Sequence, residues 1–386
     1  MDLMGKLSFV VFIFCVLISL KEEKAETRKG LPTFTLYSFD SNSTPVDLVS
    51  SHKPLEYDFY HDTCPQAEKI IRSRVRRLYE IRSDVPPSLL RLVFHDCFIE
   101  GCDASVLLDS IDGVDSEKES PPNETLKGFD IIEIIKSDLE EACPGVVSCA
   151  DILVLAARES VVLAGGPFYP LETGRRDGEL SFSELATYEL PSPQDNLPST
   201  IASFASRGFD ERETVSLLGA HSVGKVHCKF IANRLYNFDG TNEPDPTLDT
   251  DFLNHLRSRC NNSLITLGSS PSLSPSSVDD SPSPSSVDDS TFSTSSIGEA
   301  EVEMDSEERG SDFGTLYYRN LLQARGILYV DQQLTAGEET ETWVRAYASD
   351  TSLFRRDFAL AMRKLSNLGV LTAPMGQVRI SCSKVA

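Results

Sequence analysis

Eight cysteines spread between residues 64 and 382 constrain this chain more than any other feature: Cys64, Cys97, Cys102, Cys143, Cys149, Cys228, Cys260 and Cys382. Whether they pair depends on the compartment, and the N-terminus speaks to that. Lys6 precedes an apolar run from Leu7 to Leu20, and charge returns at Lys21–Lys24. The run is too short for a comfortable bilayer span and reads as a signal peptide over residues 1–25 that removes Cys15 with it. An uncleaved anchor is the rival reading. An even number of cysteines in an exported chain implies a disulfide framework, although counting alone allows about a hundred pairings. A zinc site would need paired Cys-x-x-Cys spacings, and none occurs.

The charge balance narrows the partners. The chain of 386 residues carries a formal net charge of −23, which excludes the basic face that nucleic acid requires. Much of the excess is local, because residues 264–310 alone contribute −9. There Ser-Pro-Ser-Ser-Val-Asp-Asp occurs twice, at 274–280 and 283–289, with almost no large apolar side chains. Such a stretch cannot offset its own ordering entropy, so it is read as a disordered insertion. An acidic-ligand or calcium role for it is the weaker alternative. Residues 26–55 read as a polar extension and 56–386 as one domain interrupted by that insertion. No later run approaches membrane-spanning length. Apolar spacing predicts helices over Ala67–Ile81, Pro87–Phe98, Gly128–Cys143, Ser148–Leu163, Thr200–Arg207, Glu211–Leu218, Lys225–Tyr236, Thr250–Cys260, Gly314–Ala324 and Trp343–Leu368. The fold class is therefore mainly α, with little β.

Three stretches carry chemistry. In Ser88-Leu-Leu-Arg-Leu-Val-Phe-His-Asp-Cys97, Arg91 and His95 stand four apart and share one helical face. Burying a guanidinium above an imidazole is expensive without partners. A structural ion-pair network explains that spacing equally well. In Leu217–Cys228, His221 ends an apolar run beside Gly219 and Gly224, where a flat group can approach the backbone. A satisfied core histidine is the plainer reading. Around Gly101, Asp96, Asp103 and Ser105 supply hard oxygen atoms suited to calcium, without the spacing of an EF-hand. A solvated turn is the alternative.

Together these stretches carry a resemblance. Arg91-Leu-Val-Phe-His-Asp-Cys-Phe98, Gly101-Cys-Asp-Ala-Ser105, Val147-Ser-Cys-Ala-Asp151, Gly174-Arg-Arg-Asp177 and Gly219-Ala-His-Ser-Val-Gly224 occur in order. From about Tyr57 to Cys382, outside 264–310, the chain closely resembles the plant secretory (class III) peroxidases. The resemblance implies a haem-peroxidase fold with haem b between two helical halves and four disulfides. It implies His95 as distal acid–base residue, Arg91 as its charge-stabilising neighbour, Asn123 as the group orienting His95, and Phe94 as a wall. It implies His221 as the axial iron ligand, supported by Asp331, and Pro191 at the donor site. The implied disulfides are Cys64–Cys143, Cys97–Cys102, Cys149–Cys382 and Cys228–Cys260. A distal calcium would be held by Asp96, Ile99, Gly101, Asp103 and Ser105, with Glu117 acting through water. The implied partners are hydrogen peroxide and small phenolic donors, with no nucleic acid and no membrane, for a monomer secreted to the cell wall rather than the vacuole.

The chain also departs from the family pattern. Ser222 stands where the family has Thr, Gly314 follows Phe313 where it has Asp, and Asp305 or Asp312 are the remaining proximal-calcium candidates. A weakened or absent proximal calcium is expected. Ser83–Ser88 is shortened and lacks the family's Arg, His227 replaces a Gln, and Asn123–Phe129 is one residue short. Those changes leave a second hypothesis, a non-catalytic extracellular binding protein. Asn123-Glu124-Thr125 reads formally as a glycosylation sequon, expected to be unused, whereas Asn42 and Asn261 are the better acceptors.

Overall fold

The computed structural model describes residues 54–111, 113–264, 300–304 and 313–386. The signal, the polar extension as far as residue 53, Asn42 and both Ser/Pro/Asp repeats lie outside them. Among the described residues the chain is mainly helical, with thirteen α-helices and one two-stranded sheet. No helix among them is long and apolar enough to cross a membrane.

Helix α1 (Ala67–Tyr79) buries Ala67, Ile71, Val75 and Leu78, a stripe at helical spacing. Its polar face sends Arg72 to Glu159 and Arg74 to Asp138. Helix α2 (Val85–Phe98) starts two residues before the sequence reading, because Pro86 is tolerated in a first turn whose N–H groups lack partners. Helix α3 (Phe129–Ala142) follows. Helix α4 (Cys149–Leu163) opens on Ser148, whose hydroxyl accepts from the Asp151 N–H. It is buried along almost its whole length and packs against α1, α2 and α3. Centrality explains its unbroken apolar texture. Helices α5 (Ser183–Glu189), α6 (Leu197–Ser206) and α7 (Glu211–Leu218) come next, α7 with a reciprocal Asp210/Glu213 capping box.

Beyond α7 the structure corrects two readings. Lys225–Tyr236 is not one helix. Strand β1 (Lys225–His227) leads through a short turn into helix α8 (Ala232–Tyr236), and β1 pairs antiparallel with β2 (Glu301–Glu303), Val226 opposite Val302. Residues 300–304 thus belong to the fold, although they fall inside the stretch read as a disordered insertion. Val302 and Val226 are both buried in a second core with Ile231, Leu235 and Leu256. Helix α9 (Thr250–Leu264) packs on β2, and Asn261 falls in its last turn.

Helices α10 (Thr315–Leu322) and α11 (Tyr329–Gln333) precede the other correction. Trp343–Leu368 splits into α12 (Glu338–Ser349) and α13 (Thr351–Leu365), because Asp350 turns its carboxylate onto the Ser352 and Leu353 N–H groups and starts a new helix.

Two of the matching motifs prove to be structural ties. Asp151 and Arg175 form an ion pair at 2.9 Å with both side chains fully buried. Asp151 also accepts from Tyr60 and from the Gly174 N–H, while Arg175 reaches the Ser366 carbonyl. Asp177 accepts from the Ala150 and Arg379 N–H groups. No side-chain polar atom of Tyr60, Asp151, Arg175 or Asp177 is left buried without a partner, so the polar cluster fastens distant segments together. Among the described residues there are four disulfides: Cys64–Cys143, Cys97–Cys102, Cys149–Cys382 and Cys228–Cys260.

Candidate active site

Helix α2 delivers Arg91, Phe94 and His95 to one side of the site. His95 is 8% exposed. Its Nδ1 lies 2.5 Å from Asn123 Oδ1, and the Asn123 amide nitrogen donates to the Glu117 carbonyl at 2.8 Å. That second bond fixes which end of the amide faces the ring. An acceptor at Nδ1 places the proton there, so Nε2 holds the lone pair. Arg91 Nε donates to Nε2 at 3.2 Å, while its two terminal nitrogens donate to Thr125 Oγ1 and the Pro122 carbonyl. Burial, then the Arg91 charge, push the His95 pKa down to about 3, against the pull of Asn123. Burial lowers Arg91 to about 10, which leaves it cationic at neutral pH. Asn123 is 2% exposed, and both ends of its amide are hydrogen-bonded.

The opposite side begins where α7 tightens into the turn Gly219–Ser222 carrying His221. A Cβ at Gly219 would stand 2.4 Å from the Tyr318 hydroxyl oxygen, so only glycine lets the turn pack this closely. His221 Nδ1 lies 2.8 Å from Asp331 Oδ1, and the Tyr317 hydroxyl donates to that same oxygen at 2.8 Å. Burial works to lower the His221 pKa, but the Asp331 charge and hydrogen bond outweigh it and raise the value. Arg91 lowers it in turn, so the two sides of the site sense one another. Nε2 of His221 has no hydrogen bond among the described residues, and 36% of the side chain surface stays open.

The other sequence candidates fall around this axis. Phe94 packs 4.4 Å from Phe98, centroid to centroid, and remains half-buried. Pro191 is half-buried in a loop tied to the Asp331 helix by the Val330 N–H, which donates to the Pro193 carbonyl. Near α2, Asp96, Asp103, Ser105 and Glu117 are all buried. Asp96 accepts from the Ala104 and Val106 N–H groups, and Gly101 O accepts from the Asp103 N–H. Ile99 is buried at the end of α2. Ser105 Oγ and Glu117 Oε2 have no partner. Burial first, then the Asp103 and Glu117 charges, raise the Asp96 pKa, and burial pushes Glu117 up to about 7. Three buried carboxyls, of which Glu117 has one orphaned oxygen, and the orphaned Ser105 hydroxyl are hard-oxygen groups of the kind calcium takes, although no three acidic, His or Cys groups converge as a ready cage among the described residues.

The second calcium region differs. Ser222 is buried and its hydroxyl has no partner. Asp305 and Asp312 lie outside the described residues. Gly314 has φ +90°, and a Cβ there would meet Phe354 at 1.9 Å, so packing rules out an acidic side chain at this position. His227 Nε2 stands 3.6 Å from a Glu301 carboxylate oxygen. Sequence reasoning missed Tyr317, Thr125 and the backbone carbonyls of Pro122 and Glu117. The carbonyls leave no sequence signal. Only the paired aromatics Tyr317-Tyr318 hint at the tyrosine.

His95 and His221 share one hydrogen-bonding pattern, each held at Nδ1 by a side-chain oxygen, and the likeness to known proteins gives the class as a peroxidase. A family model described as peroxidase matches residues 71–350. The chain is 51% identical over 366 residues to Putative Peroxidase 48 of Arabidopsis thaliana, covering 93% of this chain and 90% of that protein. It is 38% identical to Peroxidase 57 of Arabidopsis thaliana and to Peroxidase 5 of Vitis vinifera, each alignment covering 86% of this chain and 92% of the relative. The chain belongs to the plant secretory (class III) peroxidase family and is a peroxidase enzyme.

Proposed function

We propose that the protein is a secreted haem peroxidase that reduces hydrogen peroxide and withdraws single electrons from phenolic donors. One observation carries the reading: Asn123 holds Nδ1 of His95 and Asp331 holds Nδ1 of His221, which leaves both Nε2 lone pairs for the cleft that this reading puts between them.

The residues fit haem b. His221 Nε2 would hold the haem iron, and the hydrogen bond from its ring to Asp331 would give it imidazolate character. When bound, the haem supplies the redox chemistry that splits the peroxide O–O bond. His95 Nε2 accepts a proton from the inner peroxide oxygen and returns it to the departing oxygen, which leaves as water. Arg91 stabilises the negative charge that grows on that oxygen. Phe94 screens the cleft from water, and Pro191 lines the approach of the phenol. The four disulfides support an exported, oxidising location, for which the cell wall is the proposed site.

The test is a spectrum. Purified protein refolded with haem is expected to show a Soret band that shifts on adding peroxide and to oxidise guaiacol. A colourless, inactive protein with intact disulfides would move the reading to the non-catalytic binding alternative.

A distal calcium follows from the orphaned Ser105 Oγ and Glu117 Oε2. Chelation is expected to lower the melting temperature by roughly 5–10 °C, and added calcium to restore it. Thermal denaturation by circular dichroism reads both. A melting temperature indifferent to chelator would remove the site from the reading.

A further inference from the structure

Behind Asp331, the partner of His221 Nδ1, redox-active rings form an unbroken series. Tyr317 donates to Asp331, the carboxylate that holds His221. Its ring lies 4.9 Å from Tyr318, Tyr318 lies 5.2 Å from Tyr347, and Tyr347 lies 5.9 Å from Trp343, all between centroids. At such separations ring edges touch. Tyr317, Tyr318 and Tyr347 are each 5% exposed or less, whereas Trp343 is half-buried and so reaches the surface.

We infer that Trp343 is a second oxidation site, on the protein surface, wired to the His221 side of the cleft through Tyr347, Tyr318 and Tyr317. The inference rests on the peroxidase reading above and adds a substrate class: phenols attached to bodies too large to enter the cleft.

The hydrogen bonds suit the series to carrying electrons. Tyr317 and Tyr347 each donate to a carboxylate, Asp331 and Asp357, so the phenolic proton has a nearby acceptor when an electron leaves. Tyr318 donates to the Val215 carbonyl, a poor base, and bridges the two with its proton in place. Arg212 lies 4.5 Å above the Trp343 ring and pins it. The Arg212 charge, which would oppose removing an electron from the indole, is paired with Asp357 at 2.6 Å.

The balance closes with peroxide as oxidant. Each hydrogen peroxide takes up two electrons and two protons and leaves as two waters. Each electron supplied by Trp343 releases the indole N–H proton to solvent and leaves a neutral indolyl radical. One phenol then gives that radical an electron and a proton, restoring Trp343 and becoming a phenoxyl radical. Two phenols are consumed per peroxide.

Trp343 is the sole tryptophan of the chain, so isotope labelling reports one site. Haem-loaded protein grown on ring-deuterated tryptophan is mixed with peroxide without donor and freeze-quenched for electron paramagnetic resonance. The radical signal is expected to narrow relative to unlabelled protein. Trp343→Phe should lose that signal and oxidise dextran-coupled guaiacol at least about tenfold more slowly, keeping free guaiacol within about twofold. Trp343→Tyr, of similar bulk but oxidisable, should recover the dextran activity. A signal blind to deuteration, or Trp343→Phe matching wild type on dextran-coupled guaiacol, would overturn the surface site while free-guaiacol turnover left the peroxidase reading standing. Wild-type protein inert toward free guaiacol would overturn both.

Discussion

Replacing His95 with alanine is expected to slow the reaction with peroxide by about 10²–10⁴-fold, the usual contribution of a positioned acid–base group. Haem content should stay at the wild-type level, because the iron would be held by His221 and not by His95, whose Nδ1 and Nε2 already have Asn123 and Arg91 as partners. No neighbour can take over the proton transfer. Arg91 stays cationic with its pKa near 10, and the Asn123 amide has no basic nitrogen. A pH signature separates this role from mere packing. With its pKa pushed down to about 3, His95 is neutral and able to accept a proton throughout the range from 5 to 8. The wild-type rate should therefore be flat there and fall only as pH drops toward 3, where Nε2 becomes protonated. That descending limb should vanish in His95→Ala. Stopped-flow absorbance at the Soret band measures both quantities. An unchanged rate in the variant would strip His95 of its assigned role.

What could be read beforehand divides along a physical line. Helix α4 was legible because burial all round leaves an apolar run that no surface helix shows. The Arg91/His95 pair was visible as an i, i+4 spacing, but its orientation was not, since the Glu117 carbonyl that fixes Asn123 belongs to the backbone. Strand β1 was misread as helix because its three residues are too few to show a period-2 pattern, and its partner β2 lies more than seventy residues away, beyond a stretch of quite different composition. Pairing that distant leaves no local trace. The break at Asp350 was hidden by apolar residues that keep nearly the same spacing through both α12 and α13. Gly314 is the reverse case. As a sequence departure it read only as a lost calcium ligand, whereas the fold places Phe354 where any side chain would have to go.

His221→Ala is expected to reduce haem retained after gel filtration to less than about a tenth of wild type, since the axial donor bond is lost outright. The same substitution leaves Asp331, 1% exposed, with Tyr317 as its remaining side-chain partner. An under-satisfied buried carboxylate costs roughly 1–3 kcal/mol, so haem loss could reflect a weakened fold and not a missing ligand. Two further measurements separate these causes. Free imidazole added to the His221→Ala protein should enter the space left by the side chain, meet Asp331 with one nitrogen, and restore a Soret band with the other. A purely structural histidine would allow no such rescue. The double variant His221→Ala with Asp331→Ala removes the orphaned charge and should regain part of the lost melting temperature, yet still fail to retain haem. If the single variant instead keeps its full haem content without imidazole, iron is not held through His221, and the opposition of the two histidines loses its meaning.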